Sequence, residues 1–108
     1  MSAFDEDLFL KGLEQCKATL GAEYVEKNIA AADDVTRPFQ ETMTAWCWGF
    51  GWGGDEIDPK TRSMMNLSTI GAFGKMHEWE AHCRGALNNG VAHEEIRAIS
   101  RRASIIVA

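Results

Sequence analysis

The stretch from Glu78 to Gly90 reads EWEAHCRGALNNG, and it predicts one amphipathic helix with a chemically dense face. Gly90 is predicted to end this helix, because glycine adopts the left-handed C-cap conformation without a steric cost. Several side chains recur at the three- and four-residue spacing of a buried helical stripe. These are Trp79, His82, Cys83, Ala86 and Leu87.

Glu78 and His82 are one helical turn apart, so their side chains lie one above the other on the same side of this predicted helix. A carboxylate beside an imidazole, at the edge of an apolar stripe, is typical of an acid–base site. The same spacing is also common in surface ion pairs that have no chemical role. The spacing alone leaves both interpretations open.

The size and composition favour one small domain with an apolar interface. The chain has 108 residues, which predicts a single domain over residues 1–108. Hydrophobic residues make up 45% of it, including four Trp and five Met. This is rich for so small a core, and large exposed apolar patches usually mark interfaces. We therefore expect a homo-oligomer.

The charge and the hydropathy exclude other classes of protein. The net charge of −5 and the pI near 5.1 argue against nucleic acid as a partner, because binding to phosphates needs an excess of Lys and Arg. No apolar run reaches the roughly 18 residues of a membrane span. The acidic start, MSAFDED, lacks the order of a signal peptide. We expect a soluble, cytoplasmic protein.

Helical periodicity with start and stop residues predicts an all-α fold of about six helices. The predicted helices cover residues 5–20, 22–30, 38–50, 59–73 and 78–90, and a last helix follows Gly90. The fourth is apolar on most sides, which predicts a central position. The three cysteines Cys16, Cys47 and Cys83 match no disulfide framework, zinc spacing or redox pair, so each is expected to be a small buried hydrophobe.

Two further features have both a structural and a functional interpretation. Trp48 and Trp52 lie among four glycines, where they either cap the edge of the core or form the wall of a ligand site. Arg62 lies in the first turn of the fourth helix. It is either a surface residue, solvated or ion-paired, or a guanidinium that binds a substrate carboxylate through two hydrogen bonds.

Several segments resemble the 4-carboxymuconolactone decarboxylase family. They are LGAEYV at 20–25, ADDVTRPFQE at 32–41, CWG at 47–49 with the second Trp52, KTRS at 60–63 and HCRGALNNGV at 82–91. The resemblance implies an all-helical bundle of the alkylhydroperoxidase D-like type that assembles into a trimeric or hexameric ring. It also implies cofactor-free conversion of 4-carboxymuconolactone to 3-oxoadipate enol-lactone, in the protocatechuate branch of the β-ketoadipate pathway.

The chemistry of that reaction suggests a role for each candidate residue. Loss of carbon dioxide leaves a dienolate, which needs an acid that protonates carbon and a grip on the remaining carboxylate. His82 is the candidate acid and Glu78 orients it or holds its proton, while Arg62 or Arg84 binds the carboxylate of the small-molecule substrate. Trp48 and Trp52 are candidates for an apolar, water-excluding wall, which disfavours the charged carboxylate relative to the delocalised dienolate.

No metal or cofactor is expected. The positions of His77 and His82 diverge around the helix, so they do not make a convincing ligand set.

Two alternatives remain. The first is antioxidant peroxidase activity, as in the sister family of alkylhydroperoxidases, which resembles this chain near the histidine. That family uses a Cys-x-x-C pair, and here those positions hold Lys75 and Glu78, so Cys83 alone could support only a one-cysteine peroxidase. The third interpretation is a non-catalytic binding subunit with a vestigial pocket, because the resemblance stops at Ser100. Ala92-His93 also replaces the Thr-Pro that usually opens the last helix, which predicts a weaker cap.

Overall fold

The described part of the chain is entirely helical apart from its turns. The computed structural model describes residues 5–107, and side chains from residue 5 to residue 105. Its helices are α1 (Glu6–Leu20), α2 (Ala22–Ala31), α3 (Arg37–Met43), α4 (Pro59–Phe73), α5 (Met76–Asn88) and α6 (His93–Val107), and a π-helical segment (Thr44–Gly51) continues α3. Residues 5–107 contain no β-strand, which confirms the all-α prediction.

The chain divides into two compact units, the first ending at Glu56 and the second beginning at Ile57. The first contains α1, α2, α3 and the π-helical segment, and the second contains α4, α5 and α6. The expectation of one domain stays a prediction.

In the first unit, α1 packs against the π-helical segment with their backbones in contact. A Cβ atom at Gly12 would collide with the carbonyl oxygen of Thr44, and one at Gly49 would collide with the carbonyl oxygen of Leu8. Both glycines are buried. Glycine is therefore required at these two positions for the close approach of the two elements.

The π-helical segment corrects the prediction of a regular helix over residues 38–50. The N–H of Trp52 donates to the carbonyl of Cys47 at 3.1 Å, five residues earlier, which is the bonding pattern of a π-helix. The wider turn is accompanied by burial of Ala45, Gly49 and Trp52. The segment is in backbone contact with α1, and helical periodicity does not encode such a contact.

In the second unit, α4 is the central helix, because it packs against both α5 and α6. Its N-cap is Asp58, whose side chain accepts the Thr61 N–H at 2.8 Å, and Pro59 follows at the first helical position. Leu67 of α4 is fully buried. It forms a core with Ala86 and Val91, against which Met64, Trp79, Cys83, Ile96 and Ile99 pack.

The end of α5 confirms the predicted role of Gly90. Gly90 has a φ of 93°, in the region that favours glycine. The Val91 N–H donates to the Ala86 carbonyl at 2.9 Å and the Gly90 N–H donates to the Leu87 carbonyl at 3.1 Å. This is the hydrogen-bond pattern of a Schellman motif. The motif brings Val91 back onto Ala86 in the core.

The start of α6 keeps half of a capping box, although Ala92 offers no side-chain acceptor. The side chain of Glu95 accepts the Ala92 N–H at 2.9 Å and also lies 3.4 Å from Lys60 Nζ. Both interactions hold the pKa of Glu95 below its usual value, the backbone hydrogen bond more strongly. The predicted weakening of the cap is therefore partly compensated by Glu95.

A side-chain hydrogen bond connects α4 to the C-cap of α5, and its loss should cost stability. Asn89 Nδ2 donates to Ser63 Oγ at 3.0 Å, and Ser63 is buried. We expect Ser63→Ala to lower the free energy of unfolding by about 1 kcal/mol, because a partly buried amide loses an acceptor. Urea unfolding followed by circular dichroism measures this. Ser68→Ala, at an exposed position on the same helix, is the control, and equal losses in both variants would contradict the prediction.

Candidate functional site

The buried face of α5 is made of small residues. Ala81, Gly85 and Ala86 are buried, whereas Trp79, His82 and Cys83 of the predicted stripe are half-buried. The prediction was wrong for Leu87, which is 39% exposed. Small side chains on this face allow α4 to approach α5 closely. The larger side chains of α5 lie at the edge of this contact.

Glu78 and His82 interact electrostatically on α5, as their spacing predicted. Glu78 is exposed, whereas His82 is half-buried. Burial lowers the pKa of His82 below 6.5, and the negative charge of Glu78 raises it in part. The imidazole is therefore mostly neutral at pH 7. A second negative charge brought close to it, such as that of a bound anion, would favour its protonation.

The two candidate arginines lie in different environments. Arg62, in the first turn of α4, is half-buried. Arg84 is exposed, and its Nη1 lies 3.5 Å from Glu80 Oε1, one turn earlier on α5. The sequence interpretation missed Glu80 as this partner, although the spacing of the two residues could have indicated it. An ion pair this exposed contributes little to stability, so an anionic ligand could compete for Arg84 at low cost.

Trp48 and Trp52 stack on each other, with ring centroids 4.8 Å apart and ring planes at 29°. Trp52 is buried and Trp48 is half-buried. Trp52 thus has the structural role that we considered, while Trp48 keeps an accessible surface. The pair belongs to the first unit, and the other four predicted site residues belong to the second.

The three cysteines differ in exposure but share one electrostatic property. Cys16 is buried and Cys83 is half-buried, whereas Cys47 is exposed, so the prediction of burial was wrong for Cys47. Desolvation raises the pKa of all three thiols, that of Cys16 to about 12. Thiolate is the nucleophilic form. At neutral pH all three side chains are therefore in the unreactive thiol form.

The described residues give no sign of a metal centre. Within residues 5–107, no three or more His, Cys, Asp or Glu side chains are arranged to hold a metal ion. In the same part of the chain, no helix is both long enough and apolar enough to cross a membrane.

Burial of His82 predicts acid sensitivity of the fold. The folded-state pKa of His82 lies below its unfolded value of 6.5, so the unfolded chain binds more protons there. Stability contributed by this group is present above pH 6.5 and decreases as the pH falls through the folded pKa. We expect the urea concentration at the unfolding midpoint to decrease when the pH is lowered from 7 to about 5.

This decrease of the urea midpoint should be smaller in the His82→Gln variant. The control is His77→Gln, at an exposed position on the same helix. The carboxyl groups of Asp33, Asp58 and Glu95 also have lowered pKa values. They change the stability of the fold only at more acidic pH, below their usual pKa values of 3.8 and 4.5. Equal acid sensitivity in His82→Gln and wild type would contradict the prediction.

Comparison with known proteins identifies relatives that are decarboxylases by name. Nitrosuccinic acid decarboxylase npaB of Metarhizium robertsii is 41% identical over 98 residues, covering 91% of this chain and 68% of that protein. The 4-carboxymuconolactone decarboxylase of Acinetobacter baylyi is 28% identical over 101 residues, covering 94% and 75%. No solved structure matches the chain significantly.

The sequence profile of the carboxymuconolactone decarboxylase family matches residues 37–108, which include α5 and all its candidate site residues. The match spans well over half of the chain and continues past Ser100, so the expectation that the resemblance stops there was wrong. Together with the two relatives, it supports carboxy-lyase activity. The chain belongs to the carboxymuconolactone decarboxylase family.

Proposed function

We propose that this protein is a cofactor-free decarboxylase of a small dicarboxylic acid, with His82 as the proton donor and Glu78 as the residue that tunes it. The observation that carries the proposal is the half-buried His82, one turn after Glu78, on a helix within the part of the chain that matches the family. The geometry provides an imidazole whose protonation depends on a nearby negative charge.

The proposed reaction breaks one carbon–carbon bond and forms one carbon–hydrogen bond. As carbon dioxide leaves, the electron pair of the broken bond remains on the substrate and is delocalised onto an electron-withdrawing group. The proton carried by His82 then adds to carbon, and solvent restores it to the imidazole. The substrate's own carboxylates supply the negative charge that raises the pKa of His82 on binding.

Two candidate substrates fit this chemistry. In 4-carboxymuconolactone, expected from the sequence resemblance, the lactone carbonyl accepts the electron pair, and the reaction would belong to the protocatechuate branch of the β-ketoadipate pathway. In nitrosuccinic acid the nitro group accepts it. The higher identity to the nitrosuccinic acid decarboxylase favours the second candidate. Each substrate keeps one carboxylate after the reaction, which Arg62 or Arg84 would bind.

Release of carbon dioxide from each acid by the purified protein tests this proposal. Turnover of one or both acids supports decarboxylation, and the ratio of the two kcat/KM values assigns the substrate preference. Absence of turnover with both acids, from protein shown to be folded by circular dichroism, would reject both substrates.

The raised thiol pKa values count against the peroxidase alternative, because a one-cysteine peroxidase needs a thiolate. A non-catalytic binding subunit would bind one of these acids without releasing carbon dioxide.

We also propose that the protein is a homo-oligomer, a trimer or hexamer as the family resemblance implies. The support is the large apolar surface of the chain, since exposed hydrophobic patches usually mark interfaces. The most exposed large apolar side chains include Val35, Phe39, Phe50, Phe73 and Met76. The mass in solution, measured by light scattering, tests the assembly, and a monomer at micromolar concentration would reject it.

A further inference from the structure

A groove runs along α6 beside α5 in the second unit. Its volume is about 570 Å³, within the range of small-molecule sites. Trp79, Ile96 and Ile105 provide its apolar lining, and Arg97 and Arg101 provide its charge. His82 is not among the residues that line it. The groove therefore combines apolar surface with cations, outside the Glu78–His82 pair.

The first turn of α6 is acidic, with Glu94 and Glu95, but the rest of the helix is basic, unlike the chain as a whole. The whole protein has a net charge of −5, yet residues 96–107 contain three arginines and no acid. Arg97 and Arg101 are one turn apart, so their side chains lie on the same side of α6, where like charges repel. Among residues 5–105, no carboxylate pairs with either guanidinium. An anion between the two would relieve this repulsion and receive charge-assisted hydrogen bonds.

The indole of Trp79 lies where α4 restricts its movement. A Cβ atom placed on Gly71 would lie 3.0 Å from Cζ3 of Trp79 and 3.7 Å from Cβ of Ala103. The ring thus packs closely over the backbone of α4, with α6 beside it. An indole held in this way provides a fixed apolar surface on which an aromatic or branched group can pack. Ser104 also lines the groove, and its hydroxyl donates to the Ser100 carbonyl within α6 at 2.9 Å.

We propose that this groove binds an organic monocarboxylate with an aromatic or branched apolar body. The apolar body packs on Trp79, Ile96 and Ile105, and the carboxylate lies between Arg97 and Arg101. The shape and charge of the groove fit this class of ligand better than a neutral or cationic one. The proposal does not depend on decarboxylation, because it concerns binding at residues outside the proposed proton donor pair.

Calorimetric titration with phenylacetate, and with phenylacetamide as its uncharged counterpart, tests the proposal. We expect saturable binding of phenylacetate to wild type and much weaker binding of phenylacetamide. Arg97→Gln and Arg101→Gln should each weaken phenylacetate binding by about tenfold, since each removes a hydrogen bond between charged groups. The binding of phenylacetamide should be the same in both variants as in wild type.

Arg102→Gln is the matched control, because Arg102 carries the same charge on the same helix without lining this groove. Its affinity for phenylacetate should equal that of wild type. Equal weakening in all three variants would show only a general charge effect, and would overturn the proposal. So would the absence of saturable binding to wild type. A loss of oligomer mass in the Arg97 and Arg101 variants, without phenylacetate binding to wild type, would assign the groove to a second copy of the chain instead.

Discussion

Replacement of His82 by alanine is expected to lower kcat/KM for decarboxylation by about 10²–10⁴-fold, the usual contribution of a positioned general acid. The variant should keep the helicity and the mass of wild type, because His82 lies at the edge of the core and not in it. Carbon dioxide release with the better of the two acids measures the effect. His77→Ala, at an exposed position on the same helix, should retain wild-type turnover. Full turnover by a correctly folded His82→Ala variant would contradict the assignment.

The pH profile separates a chemical role of His82 from a structural one. Because kcat/KM reports the free enzyme, it should decrease as the pH rises through the pKa of His82, which lies below 6.5. Glu78→Gln removes the charge that raises this pKa, so the decrease should move to lower pH. Glu80→Gln removes the carboxylate paired with Arg84 and should leave the pH of this decrease unchanged. A profile insensitive to Glu78→Gln would show that Glu78 does not act through His82.

The boundaries of the helices could be predicted because local chemistry determines them. Asp58 is an N-cap acceptor followed by proline, and Gly90 has the backbone conformation in which glycine is favoured. Each signal depends on a few neighbouring residues and needs no knowledge of the rest of the fold. The π-helical segment (Thr44–Gly51) could not be predicted in this way, because it accompanies backbone contact with α1, more than 20 residues earlier in the chain.

The candidate site shows the same division between local and distant causes. The interaction of Glu78 with His82 follows from their spacing on one helix, and so does the pair of Glu80 with Arg84, which we missed. The direction of the His82 pKa shift does not follow from spacing. Burial and the Glu78 charge act in opposite directions, and burial has the larger effect. The extent of burial depends on how α5 packs in the folded chain.

The glycines between α1 and the π-helical segment should be the least replaceable residues of the first unit. We expect Gly49→Ala to lower the free energy of unfolding by about 3 kcal/mol, because its methyl group would collide with the carbonyl oxygen of Leu8. A backbone atom cannot move aside as a flexible side chain can, so α1 must shift as a whole. Gly12→Ala should cost at least as much, since its methyl group would meet both Thr44 and the backbone nitrogen of Gly49.

Gly51→Ala is the matched control, because it adds the same methyl group to the same π-helical segment. Its Cβ atom would lie 3.7 Å from the Trp46 carbonyl oxygen, an ordinary contact. The loss of backbone freedom in the unfolded chain should make this variant neutral or slightly more stable. Urea unfolding followed by circular dichroism and by tryptophan fluorescence compares the variants. A Gly49→Ala variant as stable as Gly51→Ala would show that α1 and the π-helical segment separate at little cost. The π-helical geometry would then need a cause other than this contact.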